Sequence, residues 1–342
     1  MKAGRPINVA VVGLGFMGMT HLRVLQNLRE ARIAAVCAPN RSIKNGRLAG
    51  VRGNLGADSD VRLGADVKVY RDFASVIADR EIDLVDLCTP TQMHREQAIA
   101  TLHANKHVIC EKPLAETTRD LRELIRAAGR SGKFLMPAMC MRFWPGWMEL
   151  KEIVARRTYG TVLAANFRRV SARPAWGKSG VHAGGALYDL HIHDTDFINF
   201  IFGRPEKVFS TGVTGPEKEI DHIVTQYLYP GGPAVTAEGS WLAQHFNMAF
   251  TVHCERATID FNLARGADAL QISQRGRTRR IRPAGVDGYN KEIRYFVDCV
   301  ARGQKPSLVT AHDSLTALNI LQAEERSVRS CRAVKVRYDS VK

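Results

Sequence analysis

A long hydrophobic run is missing from this chain of 342 residues. A membrane-spanning helix needs about 20 consecutive, mostly apolar residues. The apolar stretch nearest the start, Val9 to Val12, is far shorter and is not followed by a cleavage site, so it does not resemble a secretory leader. We therefore expect neither a membrane partner nor export, and we expect a cytoplasmic protein.

Cysteine is sparse and unpatterned. The seven residues are odd in number and show no CxxC spacing, which excludes a disulfide framework and a zinc knuckle. The sequence gives none of them a paired histidine or a cationic context that would make a nucleophile. We therefore interpret them as buried or inert thiols in a reducing cytosol. They are Cys37, Cys88, Cys110, Cys140, Cys254, Cys299 and Cys331.

Acidic residues are in short supply, with 34 Asp and Glu against 49 Lys and Arg, which leaves a net charge of +15. Such an excess favours an anionic partner, either nucleic acid or a phosphorylated cofactor or substrate. The densest basic run, Arg275 to Arg282, alternates as a solvated strand face would. Because no helix-turn-helix, zinc finger or aromatic-interleaved basic motif accompanies it, we expect no nucleic-acid partner.

Short apolar segments alternate with helical patterns through the first part of the chain. Strands such as Ile7 to Val12 and Ile82 to Cys88 are followed by helices such as Gln92 to Ala104. Strands separated by helices predict a parallel sheet that is covered on both faces. We therefore predict an α/β fold in which residues 1–138 form a doubly wound, dinucleotide-binding Rossmann domain.

The pattern changes after about residue 140. Strand-like segments separated by turn signals, such as Pro230-Gly231-Gly232-Pro233, predict one large, open, mainly antiparallel sheet. Helical patterns at Lys291 to Arg302 and Ser314 to Val328 follow it. We assign residues 139–342 to one α+β domain for substrate binding and oligomerisation.

A glycine-rich turn joins the first strand to the first helix. Its sequence is Gly13-Leu14-Gly15-Phe16-Met17-Gly18, a GxGxxG motif in the strand–turn–helix context that dinucleotide binding requires. The first glycine allows the tight turn, the second lets the backbone approach a pyrophosphate, and the third lets the helix pack closely on the strand. We therefore predict cofactor contacts at Gly13, Gly15, Phe16, Met17 and Gly18.

The segment after the second strand lacks the acidic residue that usually binds the adenosine ribose of NAD. No Asp or Glu occurs between Glu30 and Asp58, whereas several cations do. A carboxylate would repel a 2′-phosphate, while a guanidinium binds one through two hydrogen bonds. The segment Asn40-Arg41-Ser42 therefore predicts a 2′-phosphate pocket and NADP as the cofactor, with NAD possible. The alternative is that these cations are ordinary loop charges.

Three further motifs occur in a fixed order. Cys88-Thr89-Pro90-Thr91, with His94 shortly after it, ends one predicted strand, and Glu111-Lys112-Pro113-Leu114 follows another. The third, Gly184 to Asp196, follows the pattern GG-x-L-x-D-x-x-x-H-x-x-D. Together with the GxGxxG, this order resembles the glucose-fructose oxidoreductase / inositol dehydrogenase / rhizopine-catabolism (Gfo/Idh/MocA) family, from about Ile7 to Val336.

The resemblance implies an NAD(P)-dependent oxidoreductase that transfers a hydride between nicotinamide and a secondary alcohol or carbonyl of a sugar, polyol or cyclitol. It also implies a homodimer or homotetramer formed through the C-terminal sheet. His94 could contact the nicotinamide ribose or cap its own loop. The family motifs add cofactor contacts at Thr89, Pro90, Thr91, His94, Glu111 and Lys112.

Asp189, His193 and Lys112 are the predicted catalytic residues. Asp189 and His193 are spaced i, i+4 and share a helical face, which Asp196 would extend. Histidine has the pKa that suits a general acid/base, and Lys112 at a strand end could stabilise a developing alkoxide. The alternatives are an ordinary surface pair and a metal site formed with His191 and neighbouring carboxylates. We predict no metal, because helical spacing puts His191 on another face from His193.

Substrate contacts are less well marked in the sequence. Arg142, Arg173 and Trp176 are candidates, while His21 on the first helix is interpreted as a packed or capping residue. Two other functions compete: a catalytically silent sensor of a dinucleotide or sugar, and a nucleic-acid-binding protein that uses the positive charge. The presence of both Lys112 and His193 favours the enzyme. The sequence encodes neither the identity of the substrate nor the direction of the reaction.

Overall fold

The computed structural model describes residues 5–39, 41–51, 53, 59–174, 184–283 and 287–338. They form two compact units. The first comprises Met1–Cys140 together with Gly288–Leu315, and the second comprises Met141–Asp287 together with Thr316–Ser340. The sequence predicts one domain from residue 139 onward, whereas Gly288–Leu315 belongs to the unit of the N-terminal residues.

The elements are numbered along the chain. The described strands are β1 Ile7–Val12, β2 Ala31–Cys37, β3 Arg47–Leu48, β4 Val61–Arg62, β5 Lys68–Tyr70, β6 Leu84–Leu87, β7 His107–Glu111, β8 Leu135–Ala138, β9 Val162–Ala172, β10 Lys207–Thr214, β11 Ile220–Leu228, β12 Ala234–Ser240, β13 Leu242–Cys254, β14 Thr258–Asn262, β15 Leu270–Gln274, β16 Arg277–Ile281 and β17 Val334–Lys335. The described α-helices are α1 Phe16–Gln26, α2 Phe73–Ala78, α3 Thr91–His103, α4 Thr118–Ser131, α5 Trp147–Ala155, α6 Ile192–Phe202, α7 Gly288–Arg302 and α8 Ala311–Ser330.

The first unit is built on a six-stranded sheet in the order β5-β2-β1-β6-β7-β8. Every neighbouring pair in it is parallel. Its central strands are buried along nearly their whole length, as expected for a parallel sheet with helices on both faces. This confirms the predicted Rossmann sheet, and it brings the carboxyl ends of β1, β6 and β7 to one edge.

Helix α7 belongs to the first unit because its apolar face packs there. Ile293, Phe296, Val297 and Val300 are buried, and the helix contacts both α1 and β1. A helix with one apolar stripe must bury it against a neighbouring element. The stripe is visible in the sequence, but the element that it packs against is far away along the chain.

The second unit is built on a nine-stranded sheet in the order β16-β15-β14-β13-β9-β12-β11-β10-β17. All its pairs are antiparallel except β9 with β12, which confirms the predicted mainly antiparallel sheet. An aromatic cluster around Trp147, with Phe167, Phe197 and Phe250, fills one face. No helix of the described residues is long and apolar enough to cross a membrane.

Candidate active site

The glycine turn between β1 and α1 has a separate reason for each glycine. Gly13 has a positive φ of 88°, and a Cβ there would lie 2.5 Å from the carbonyl oxygen of Cys88. A Cβ at Gly18 would lie 1.9 Å from the carbonyl oxygen of Gly13. A Cβ at Gly15 would meet none of the described atoms within 4 Å. The turn thus leaves open space at Gly15, where α1 presents its first backbone N–H groups to an anion.

Arg41 lies beside this turn. Its guanidinium donates to the carbonyl oxygen of Leu14 at 2.6 Å and to that of Ala49. Because a guanidinium carries five N–H donors, these two contacts leave further donors for a phosphate. Ser42 is exposed, and Asn40 lies outside the described residues.

The loop after β6 leads into α3, which begins at Thr91 with Pro90 at its N-cap. The Thr89 hydroxyl donates to Oε1 of Gln97 at 2.6 Å. Both ring nitrogens of His94 lie close to backbone carbonyl oxygens: Nε2 is 2.7 Å from Thr89 and Nδ1 is 2.8 Å from Pro113. The ring of His94 therefore connects two loops. This agrees with the capping role that was the alternative to a contact with the nicotinamide ribose.

Glu111 and Lys112 end β7 at the same edge of the sheet. Glu111 is buried, and its Oε2 accepts the backbone N–H of Lys112 at 3.1 Å, while its Oε1 lies 3.3 Å from Nε2 of His21. The carboxylate therefore has partners within the protein on both oxygens. Lys112 is half-buried.

In the second unit, Asp189 and His193 lie on either side of a change in helix type. A π-helical turn spans Leu187–His191 and continues directly into α6. Asp189 and His193 are both half-buried. Short π-helical turns occur frequently at functional sites, and this one falls within the motif that the sequence analysis singled out.

The comparisons with known proteins match both units. Residues 7–139 match the model of the oxidoreductase family with an NAD-binding Rossmann fold, and residues 147–260 match the GFO/IDH/MocA C-terminal domain. The chain belongs to the Gfo/Idh/MocA oxidoreductase family. The predicted family assignment is thereby confirmed.

Similar proteins cover nearly the whole chain. An uncharacterised oxidoreductase of Rhizobium meliloti is 28% identical over 93% of this chain and 97% of its own length. The myo-inositol 2-dehydrogenase of Thermotoga maritima is 26% identical over 96% of this chain and 98% of its own. The solved structure of a levoglucosan dehydrogenase with NADH and levoglucosan has a TM-score of 0.81 at 22% identity, covering 98% of this chain and 100% of that one. At that identity the last comparison shows the fold alone.

The other ionisable side chains of the Gfo/Idh/MocA helix motif are committed to the core. Asp196 pairs with Arg142 through two hydrogen bonds of 2.7 and 2.8 Å, and Asp194 pairs with Arg169 at 2.8 Å. Asp196 is thus buried against Arg142, and the expectation that it extends the face of Asp189 and His193 stays a prediction.

Arg142, which the sequence analysis named as a candidate substrate residue, is buried in the core as well. Its side chain is 2% exposed, and its guanidinium lies 4.5 Å from the centre of the Phe200 ring as well as against Asp196. It holds α6 rather than facing a substrate. Arg173 pairs with Asp221 and lies over the Trp241 ring, so a substrate contact there stays a prediction. Trp176 lies outside the described residues.

The side chains of the alternative metal site on the helix contact separate partners. Nε2 of His191 lies 3.3 Å from Glu324 and 3.2 Å from the Tyr227 hydroxyl, whereas Asp194 and Asp196 each face an arginine. Among the described residues, no group of potential metal ligands includes them.

A buried cluster in the first unit escaped the sequence analysis. Nδ1 of His21 lies 2.9 Å from Asp86 and 3.4 Å from the sulfur of Cys88. The interpretation that no cysteine has a histidine partner was thus wrong, because the partner is far away in sequence. Burial and the charge of Asp86 raise the pKa of the Cys88 thiol, so it stays protonated. The nitrogen, carboxylate oxygen and sulfur of His21, Asp86 and Cys88 that could bind a metal ion lie within 4.8 Å of one another.

Proposed function

We propose that the protein is an NADP-dependent dehydrogenase or reductase that transfers a hydride between the nicotinamide and a secondary alcohol or carbonyl of a sugar, polyol or cyclitol. The observation that carries this proposal is that the glycine turn and Lys112 lie at one edge of one parallel sheet, at the ends of β1 and β7. In such sheets ligands bind outside the carboxyl ends of the strands. The names of the inositol dehydrogenase relatives support the substrate class.

The residues around the glycine turn suit a dinucleotide with a 2′-phosphate. The open space at Gly15 admits a pyrophosphate, and Arg41 lies beside the turn through its bond to Leu14. The uninterrupted absence of Asp and Glu between Glu30 and Asp58 removes the usual repulsion of a 2′-phosphate. We assign Arg41 as the main 2′-phosphate ligand, with Ser42 and Asn40 assisting.

Lys112, His193 and Asp189 carry the proposed chemistry. The bound nicotinamide supplies the hydride acceptor or donor. His193 takes the hydroxyl proton during oxidation and returns it during reduction, and Asp189 orients the imidazole or anchors the substrate. The cation of Lys112 stabilises negative charge on the reacting oxygen.

Binding and turnover test these assignments separately. NADPH and NADH are first compared by thermal shift, since a ligand that binds only the folded state raises the melting temperature. The reduction of NADP⁺ and of NAD⁺ is then followed with myo-inositol, other polyols and aldoses. NADPH binding together with turnover of a member of this panel supports the proposal. Tight NADPH binding without turnover would instead indicate a dinucleotide sensor, and no cofactor binding would refute both.

We further propose that the second unit forms a homodimer or homotetramer through its sheet. One face of β10 and β11 carries Phe209, Val213 and Val224, which are 37%, 50% and 39% exposed. Phe209, Thr211 and Val213 stand opposite Gln226, Val224 and His222 in the register, so the apolar side chains share one face. Exposed apolar patches of this kind commonly mark interaction surfaces. A chain that scatters light as a monomer at micromolar concentration would contradict this assembly.

The cysteines support a cytoplasmic location, which we also propose. All seven are free thiols, although several are buried within the core. Such thiols persist in a reducing compartment. Fractionation of the cells that make the protein tests this point directly.

A further inference from the structure

A buried group of ionisable side chains adjoins the segment Glu111–Pro113, and the proposed reaction gives it no role. Its members come from four elements of the first unit. They are His21 on α1, Asp86 on β6 with Cys88 just after it, Glu111 on β7 and Glu292 on α7. His21 and Glu292 are fully buried. Buried charges are costly unless they are paired, so their arrangement requires an explanation.

His21 has a carboxylate at each end of its ring. Nδ1 lies 2.9 Å from Asp86, and Nε2 lies 3.3 Å from Glu111. Nδ1 is hydrogen-bonded to Asp86, whereas the contact of Nε2 with Glu111 is an ion pair without a hydrogen bond, so the charge of the imidazolium is what serves both carboxylates. Burial alone would lower the pKa of His21, but the charge of Asp86 and its hydrogen bond to the ring outweigh it and raise that pKa well above the ordinary value.

The far oxygen of Glu111 continues this chain of contacts to Lys112. Oε2 accepts the backbone N–H of Lys112 at 3.1 Å, so the carboxylate joins the His21 ring to the backbone of the lysine. At the other end of the segment, the carbonyl oxygen of Pro113 lies 2.8 Å from Nδ1 of His94. A buried histidine thus contacts the segment on each side of Lys112.

We propose that His21 and His94 are positioning residues that clamp the segment Glu111–Pro113 at its two ends and so fix the position of Lys112. The importance of this clamp for turnover rests on the proposed function, in which Lys112 stabilises the reacting oxygen. The clamp itself does not depend on that function.

The charges around His21 explain why the replacement of His21 would affect Lys112. Burial and the charge of Glu111 raise the pKa of Glu292 well above its ordinary value, which favours its neutral form, and burial and the charge of Asp86 likewise raise the pKa of the Cys88 thiol. Asp86 and Glu111 are then the carboxylates that His21 balances. Without the imidazolium, Glu111 must turn toward water or take up a proton, and either change weakens its bond to Lys112.

Hydrogen exchange of the whole chain, resolved by peptide, tests the clamp without any substrate. In His21→Gln and in His94→Gln, the amides of Glu111, Lys112 and Leu114 should exchange roughly tenfold faster, since a lost charged or buried contact costs about that factor in local opening. His107→Gln is the matched control: His107 is also buried and lies on β7, but its Nδ1 accepts the backbone N–H of Phe134. It should leave the exchange of residues 111–114 unchanged.

A ring-¹⁵N spectrum of the wild-type protein supplies a readout that a packing role would not produce. His21 should keep both ring protons at pH 7, above the ordinary histidine pKa of about 6.5. A neutral His21 ring at pH 7, or unchanged exchange at residues 111–114 in both variants, would overturn the proposal. Should His21→Gln fail to fold, the spectrum and His94→Gln still decide.

Kinetics with a substrate identified by the panel test whether the clamp contributes to turnover. His21→Gln should lower kcat roughly tenfold or more, in proportion to the misplacement of Lys112, and should leave the Kd of NADPH within about threefold. A parallel loss of NADPH affinity and turnover would show that the cluster supports the fold in general and would overturn the positioning role. If no panel substrate reacts, the proposed function fails, while exchange and the spectrum still decide the clamp.

Discussion

Replacing Arg142 tests whether helix α6 depends on a buried ion pair. In Arg142→Met the carboxylate of Asp196 stays in a core site that is 1% exposed, without the guanidinium that now gives it two hydrogen bonds. Removing one partner of a buried pair typically costs about 3–5 kcal/mol, because the remaining charge is left uncompensated. We expect a loss of unfolding free energy in that range, and α6 should lose its anchor.

The double variant Arg142→Met/Asp196→Leu separates the charge from the packing. Apolar replacements of both partners are often close to neutral in stability, so the double variant should recover most of the loss. Arg168→Met is the control on the same sheet. Arg168 pairs with Glu238, but their side chains are 44% and 28% exposed, and such pairs contribute only about 0–1 kcal/mol.

Urea unfolding followed by tryptophan fluorescence is the suitable assay. All four tryptophans lie between residues 144 and 241, so the signal reports on the second unit, which contains both partners. The reasoning would be refuted if Arg142→Met kept the wild-type midpoint, or if the double variant were as unstable as the single one. A normal midpoint with a raised KM would restore Arg142 as a substrate residue.

Four further predictions address cofactor, catalysis, pH and assembly. Arg41→Ala should weaken NADPH binding about 10–100-fold more than NADH binding, since charged hydrogen bonds contribute about 1.5–3 kcal/mol; equal losses would show that Arg41 only supports the turn. His193→Ala should lower turnover about 10²–10⁴-fold with cofactor affinity unchanged, whereas near-full turnover would exclude it as the acid/base. Burial lowers the pKa of His107 to about 4, so between pH 6.5 and 4 the unfolded chain binds a proton that the folded chain does not. The free energy of unfolding should therefore decrease by up to about 2–3 kcal/mol as the pH is lowered from 6.5 to 4. In urea titrations, His107→Phe should flatten this dependence on pH. Val224→Glu should convert the proposed oligomer to monomers in light scattering, and an oligomer of unchanged mass would place the interface elsewhere.

The local features of this protein were predictable from its sequence. The glycine turn, the strand ends that carry Thr89 and Lys112, and the helix motif are all short patterns whose geometry depends on neighbouring residues. The alternating strands and helices likewise predicted both sheets. What the pattern could not provide was which distant side chain completes each site.

Arg142 and Cys88 illustrate this limit. The partner of Arg142 is 54 positions away, and Cys88 meets a histidine 67 positions away. Both pairs exist because strands and helices that are remote in the chain become neighbours in the fold, which spacing rules do not encode. Helix α7 contacts α1 and β1, which are also remote in the chain, and its apolar stripe alone would fit any apolar surface.

Buried ion pairs hold the helix motif in place. Along this segment Asp194, Asp196 and His191 each receive a buried partner from another element: Arg169 on β9, Arg142 before α5 and Glu324 on α8. These contacts fix the rotation of the helix, because turning it would leave several buried charges without partners at once. Asp189 and His193 are the half-buried members of the motif. Residue type and spacing identify five candidate site residues in this motif. The buried ion pairs of three of them hold the helix, and with it Asp189 and His193, in one orientation.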